Sequence, residues 1–265
     1  MKISFNFETE QEQLPLDYRV LLMSYFKHCL SLYEDGTYLD TYYGRGCRKK
    51  AFSFSVNLGK CHFTKKNIIV PGKKFVLSMN YADDATAIIF YNALMQQRKN
   101  LYPMAYGNMM KLKSAYMHRE VPINKGQLVC RATMPIVVRD HNRETNKDWY
   151  YSFQNENFNT MLRRNTGCDF VFVPLSMKKT VVKFHGTFIE CSVGTFVLQG
   201  DVKTLTALYR TGIGSKTACG FGTFDIIGQK GGYGLELKLT LNDAIYNAGI
   251  KGLIRVFDES GLTYE

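Results

Sequence analysis

One strand–helix order can be read twice along this chain, and few folds accept it twice. Met1 to Phe7 alternates like a strand. Leu14-Pro15-Leu16-Asp17 then opens a helix reaching about Leu32, with Leu21, Leu22, Tyr25, Cys29 and Leu32 at helical spacing. Ala51 to Val56, Asn67 to Val70 and Phe75 to Met79 read as strands, and Asp83 to Arg98 as a helix. Residues 1–120 thus follow roughly β-α-β-β-α-β, the ferredoxin-like order. The second half repeats it. Gln127 to Met134 and Ile136 to Val138 read as strands, and Glu156 to Arg164 as a helix. Thr180 to Phe184 and Gly186 to Leu198 make a hairpin, and Asp201 caps a helix through about Tyr209. The strand Thr223 to Ile227 closes the pattern. The expectation is an α+β chain of two tandem ferredoxin-like (RRM-like) domains, 1–120 and 121–228, with an extension over 229–265. In that extension Leu235 to Leu239 alternates, and a helix is expected from Asn242.

Charge narrows the partners. The chain of 265 residues carries a formal net charge of +11. Between Thr41 and Ala82 stand Arg45, Arg48, Lys49, Lys50, Lys60, Lys65, Lys66, Lys73 and Lys74, with no acid among them. Such a run is either a solvated face or the footprint of a polyanion, nucleic acid or an anionic membrane surface. It reads as short strands rather than a basic amphipathic helix, which favours nucleic acid. No apolar run approaches the length of a membrane span, and the start does not read as a signal peptide. The seven cysteines are scattered and form no C-x-x-C pair. That fits reduced thiols in a cytoplasmic protein and gives no zinc signature.

The run from Gly212 to Gly222 has two glycine–apolar–glycine units around a segment holding Lys216. Glycines allow close backbone approach, so Gly212, Gly214, Gly220 and Gly222 could offer amides, and Lys216 an ammonium, to a phosphate backbone. The plainer reading is a hairpin closing a sheet. Two familiar motifs are excluded. Ser215 stands where a P-loop needs glycine before its lysine, and Thr217 where a dinucleotide fingerprint needs its third glycine.

On five ordered patterns the chain resembles the CRISPR-associated endoribonucleases of the repeat-associated mysterious protein (RAMP) superfamily, which process precursor CRISPR RNA. The patterns are Leu14-Pro15-Leu16-Asp17-Tyr18, Ala51-Phe52-Ser53-Phe54-Ser55, Met134-Pro135-Ile136-Val137-Val138-Arg139, Phe158-Asn159-Thr160-Met161-Leu162 and the glycine run. They span about residues 1–228, and only the glycine run is specific by itself. The resemblance implies two ferredoxin-like domains, a CRISPR repeat RNA substrate and cleavage without metal or other cofactor. The product would be a mature guide for a multi-subunit interference complex in antiviral defence. It also implies that the glycine run contacts or shapes the RNA site. Members often place a histidine after a leucine just beyond the first helix. The equivalent pair here is Leu39-Asp40, so an RNA-binding subunit without cleavage is the alternative.

Metal-free RNA cleavage needs a proton taken from the 2′-hydroxyl, a stabilised phosphorane and a proton for the 5′-oxygen. His28 suits the proton steps, and Tyr25 lies one helical turn before it; both are otherwise structural residues. Lys49 and Lys50 complete the catalytic candidates. Arg45, Arg48 and Lys216 join the four glycines as RNA-binding candidates. Arg163, Arg164, Lys178, Lys179 and Lys183 line either a duplex groove or a solvated face. His62, His118, His141 and His185 have no partner pattern. A metabolic protein binding a small phosphate ligand is the third reading.

Overall fold

The computed structural model describes residues 1–44 and 50–230. They form two compact units. One is Met1–Glu120 with two short later segments, Lys183–Phe188 and Ala218–Gly220. The other is Val121–Val182, Ile189–Thr217 and the described residues from Phe221. Arg45, Arg48, Lys49 and the expected elements at Leu235–Leu239 and from Asn242 lie outside the described residues. No helix among the described residues is long and apolar enough to cross a membrane.

The first unit contains β1 (Lys2–Thr9), β2 (Gln13–Pro15), α1 (Tyr18–Leu32), α2 (Leu39–Tyr43), β3 (Phe52–Asn57), β4 (His62–Phe63) and β5 (Asn67–Ile69). It continues with β6 (Lys74–Tyr81), α3 (Asp84–Gln96), β7 (Leu101–Pro103) and β8 (Met109–His118). The main sheet runs β3-β6-β1-β8-β7, which is the ferredoxin-like order with β7 added at one edge. Alternation sets its faces. Ile3, Phe5 and Phe7 of β1, Phe52 and Phe54 of β3, and Leu77 and Met79 of β6 are buried in one core with α1 and α3. Phe26 of α1 packs edge-on against Phe54 and Phe90. Each such ring contributes about 1.5–3 kcal/mol by burial. The buried stripe of α1 is Tyr18, Leu22, Tyr25, Phe26, Cys29 and Leu30. Leu32, expected inside, is exposed, because the stripe already turns inward at Leu30. Asp83 caps α3 by accepting from the Thr86 amide at 2.7 Å.

The second unit contains β9 (Gln127–Ala132), β10 (Val138–Asn142), β11 (Lys147–Tyr151), α4 (Phe158–Thr166), α5 (Val202–Thr211) and β14 (Phe224–Lys230), and all but the shared tips of β12 (Val171–Phe184) and β13 (Thr187–Gln199). Its four-stranded sheet runs β12-β13-β9-β14, the same order again. Leu128, Cys130, Phe158, Leu162, Phe172, Phe196, Leu205 and Leu208 fill its core. Asp201 caps α5 through the Thr204 amide at 2.8 Å. Ile136 to Val138 is not a strand. Ile136 makes one isolated bridge, to Ser192, and β10 begins only at Val138.

Sequence reading gave no hairpin for β10 and β11, whose residues show no apolar alternation. Polar bonds hold it instead. Asp148 Oδ1 accepts from Arg139 Nε at 2.8 Å and from His141 Nδ1 at 2.7 Å, and the Tyr150 hydroxyl donates to Oδ2 at 3.2 Å. Burial raises the Asp148 carboxyl, but the His141 bond and the Arg139 charge outweigh it, so its net shift is downward from 3.8. A lowered carboxylate stabilises the fold above its unfolded value and loses that contribution as pH falls through its native one. Asp148→Asn is therefore expected to cost roughly 1 kcal/mol at pH 7. The difference should close at the acid end of a urea-denaturation series; an equal deficit there would contradict the account.

Candidate nucleic-acid interface

Three of the ordered sequence patterns meet in the second unit. The segment before β10 supplies two carbonyls to the glycine run: Pro135 O accepts from the Gly222 amide and Val137 O from the Ser215 amide, both at 2.8 Å. Ile213 N–H donates to Gly222 O at 2.9 Å, and Gly212 N–H to Leu208 O at 2.7 Å, closing α5. The Gly214 amide donates to Thr166 Oγ1 at 2.8 Å, and that hydroxyl donates to Leu162 O at 2.7 Å within α4. The run is a clasp joining α5, α4 and the strap before β10.

This corrects one expectation. The amides of Gly212, Ile213, Gly214, Ser215 and Gly222 are bonded within the protein rather than offered to a phosphate. Glycine is required by close approach. A Cβ at Gly214 would stand 2.5 Å from Val137 O, and one at Gly222 would stand 2.0 Å from Ile213 O. Both residues have φ in the left-handed region, +80° and +67°. Lys216 sits half-buried at φ +59°.

The first unit holds a second cluster. The last residue of α2 is Tyr43, whose ring collects two ammonium groups. Lys50 Nζ lies 3.6 Å from its centroid and Lys27 Nζ lies 5.3 Å away. Such contacts are worth about 0.5–1 kcal/mol each. Among the described residues neither lysine pairs with a carboxylate. Burial, and then the charge of Lys27, push the Lys50 ammonium below its ordinary value, with the Cys219 thiol opposing them. The Tyr43 hydroxyl is buried and has no hydrogen-bond partner among the described residues. Ala218–Gly220 packs in this unit. Arg19, 5% exposed, donates from Nε to Gly220 O at 2.9 Å. A Cβ on Gly220 would reach 2.6 Å from the Phe54 ring. An exposed and a half-buried ammonium, neither paired with a carboxylate among the described residues, make a site for an anion.

The other candidates divide. His28 is exposed on α1, its ring 5.2 Å from that of Tyr102. Tyr25 meets the same Tyr102 ring at 5.0 Å, but it is 3% exposed and also packs edge-on against Phe7. Burial holds its phenol far above its ordinary value, so Tyr25 is a core side chain and a poor proton donor or acceptor. Asp40 is exposed on α2. Arg163, Arg164 and Lys179 face carboxylates, Asp169 at 3.8 Å, Asp140 at 3.7 Å and Glu190 at 3.1 Å, as a solvated face does. His118 Nε2 bonds the Ser4 hydroxyl at 2.7 Å within the sheet. Sequence reasoning missed Lys27, Tyr43 and Arg19. The pairing of Lys27 and Lys50 over Tyr43 arises only in the folded chain. Arg19 carried one signal, a charge on the stripe side of α1 next to Tyr18.

Comparison with known proteins agrees with the folded pattern. Residues 117–226 match the sequence model described as CRISPR associated protein Cas6, C-terminal. No curated protein matches the chain. Among solved structures, one described as an RAMP protein binding different RNA substrates superposes with a TM-score of 0.72 at 20% identity, covering 86% of this chain and 99% of its own. The product of a Cas6-related gene from Pyrococcus furiosus gives 0.72 at 18%, covering 87% and 99%. A CRISPR associated protein Cas6 gives 0.69 at 18%, covering 86% and 99%. At these identities the likeness is one of fold. The described residues share the tandem ferredoxin-like fold of the Cas6 and RAMP structures, and the second half carries the Cas6 C-terminal pattern.

Proposed function

We propose that this chain, with the Cas6 C-terminal pattern over residues 117–226, binds CRISPR repeat RNA and cuts precursor CRISPR RNA without metal. The pattern match carries the reading, because it covers the clasp that ties the glycine run to α4 and the strap before β10. The Lys27–Lys50 pair, which meets no carboxylate among the described residues, supports it chemically. In the reaction the 2′-oxygen gives up its proton and attacks the adjacent phosphorus. The bond to the 5′-oxygen breaks, and that oxygen takes a proton, leaving a cyclic phosphate and a free 5′-hydroxyl. The ammonium groups of Lys50 and Lys27 stabilise the phosphorane charge. A lowered ammonium is also a better acid, so Lys50 suits protonation of the leaving oxygen. His28, open to solvent on α1, is the candidate base, with Lys49 beside the lysine pair in sequence. Arg45, Arg48 and Lys216 bind RNA phosphates, and Gly212, Gly214, Gly220 and Gly222 set the backbone of the run that carries Lys216. The product serves as the guide of an interference complex.

The test is incubation with a CRISPR repeat RNA in excess chelator, followed by sequencing of the products. One cut within the repeat is expected, abolished by a 2′-deoxy substitution before the scissile phosphate. Cleavage that needs metal, or that survives the deoxy substitution, would reject the mechanism. Asp40, in place of the histidine that members often carry, favours a second reading: an RNA-binding subunit that does not cut. Tight, salt-sensitive binding with RNA intact after long incubation would select it.

A further inference from the structure

A second concentration of positive charge lies where α3 ends and β8 begins. A cavity of about 320 Å3 opens there, lined by Arg98, Lys99, Lys111, Leu112 and Lys113. Four of these five side chains are cationic, and none is acidic. Arg98 and Lys99 follow the C-cap of α3, where a cation also answers the helix dipole. That accounts for two of the four charges. Lys111 and Lys113 come from β8 and have no such reason. Arg98 is fixed in place, its Nε donating to Lys113 O at 2.7 Å. Lys113 is partly answered by Glu8, at 3.0 Å. Lys99 and Lys111 pair with no carboxylate among the described residues. Leu112 itself is buried in the core of the unit, and the flanking Lys111 and Lys113 alternate to the other face of β8.

The sheet register separates this cavity from the Lys27–Lys50 pair. Phe52, two residues after Lys50, pairs with Tyr81, beyond the Lys2 end of β1. Lys111 pairs with Glu8 at the other end. At about 3.3 Å per residue the two levels are roughly 20 Å apart along the strand. One phosphate cannot bridge that span, but a run of several nucleotides can.

We infer that the Arg98–Lys99–Lys111–Lys113 cavity is a second site for the phosphodiester backbone of RNA, engaged by nucleotides several positions away from those at Lys50. The inference rests on the RNA-binding reading above. It gains from it, because two sites on one strand raise affinity without new chemistry at either.

The experiment is a fluorescence-anisotropy titration of the full chain with a labelled single-stranded repeat RNA, repeated from 50 to 300 mM salt. Lys99→Glu/Lys111→Glu is compared with the unaltered protein and with Lys125→Glu/Lys203→Glu, two exposed lysines elsewhere. Circular dichroism confirms that each variant is folded. The cavity variant is expected to bind at least about tenfold more weakly. Its plot of log K against log salt should be shallower by about 1.4, two phosphate contacts at about 0.7 each. Lys99→Gln/Lys111→Gln should show the same loss of slope with a smaller loss of affinity. If the cavity variant matches the unaltered protein in affinity and slope, or the control pair loses as much, the second site is refuted while RNA binding stands. If the unaltered protein binds no RNA, the functional reading falls and the site falls with it.

Discussion

Gly222→Ala is expected to unfold the second unit or leave it only marginally stable. The added methyl would stand 2.0 Å from Ile213 O, a backbone atom with no rotamer to escape into. The residue also sits at φ +67°, where alanine costs about 1–2 kcal/mol by itself. Opening the clasp to make room breaks the Ile213–Gly222 and Gly222–Pro135 bonds. Each buried group left unpaired costs about 1–3 kcal/mol. The sum is about 4–5 kcal/mol or more, against a total stability of about 5–15 kcal/mol for a domain. Gly59→Ala is the control. Its φ is similar, +64°, but a Cβ there meets nothing within 4 Å, so about 1 kcal/mol is expected. Urea unfolding followed by circular dichroism measures both. A Gly222→Ala protein with an unchanged midpoint and a loss confined to RNA affinity would restore the amide-cradle view of the loop.

Lys50→Ala is expected to slow repeat cleavage by about 100- to 1,000-fold in single turnover, the usual loss for one preorganised charge. Repeat affinity should change by no more than about threefold, since one ammonium among many is removed. Lys50→Arg separates its two roles: arginine keeps the charge but does not give up a proton, so a slow Arg variant marks Lys50 as the acid. The pH profile supplies the sign. Burial and Lys27 hold the Lys50 ammonium below its ordinary value, so the rate falls on the alkaline side as that ammonium empties. Lys27→Gln removes a like charge, and the alkaline limb should move to higher pH. Full-rate cleavage by Lys50→Ala, or a limb that does not move in Lys27→Gln, would remove the lysine pair from the chemistry.

How much of this was readable in the chain follows from where the information lies. Asp201 announced its helix, because a cap is a local bond to a residue three positions on, and Asp83 makes the same bond in α3. Alternation gave β1, β3 and β6, whose one face is core. It failed for β10 and β11, where the pairing of Arg139, His141 and Tyr150 around Asp148 replaces apolar burial. The helical stripe was right in period and wrong in extent, since Leu30 rather than Leu32 meets the core. The glycine run was visible as a pattern, but its partners, Pro135 O, Val137 O and Thr166 Oγ1, are distant in sequence. Its spacing therefore fitted a ligand cradle and a structural clasp equally well. Tyr43 gathers Lys27 and Lys50 only after α1, α2 and β3 are assembled, and no spacing rule connects the three.

The first unit takes Ala218–Gly220 into its own packing, under Phe54 and against Arg19. Synthesis runs from the amino end, so the guanidinium of Arg19 waits for a carbonyl made some two hundred residues later. A nascent chain that has emerged only through residue 120 has Arg19 beside Tyr18, with the Gly220 carbonyl still unmade. The contacts that Ala218–Gly220 makes in the first unit can therefore form only after residue 220 has been made.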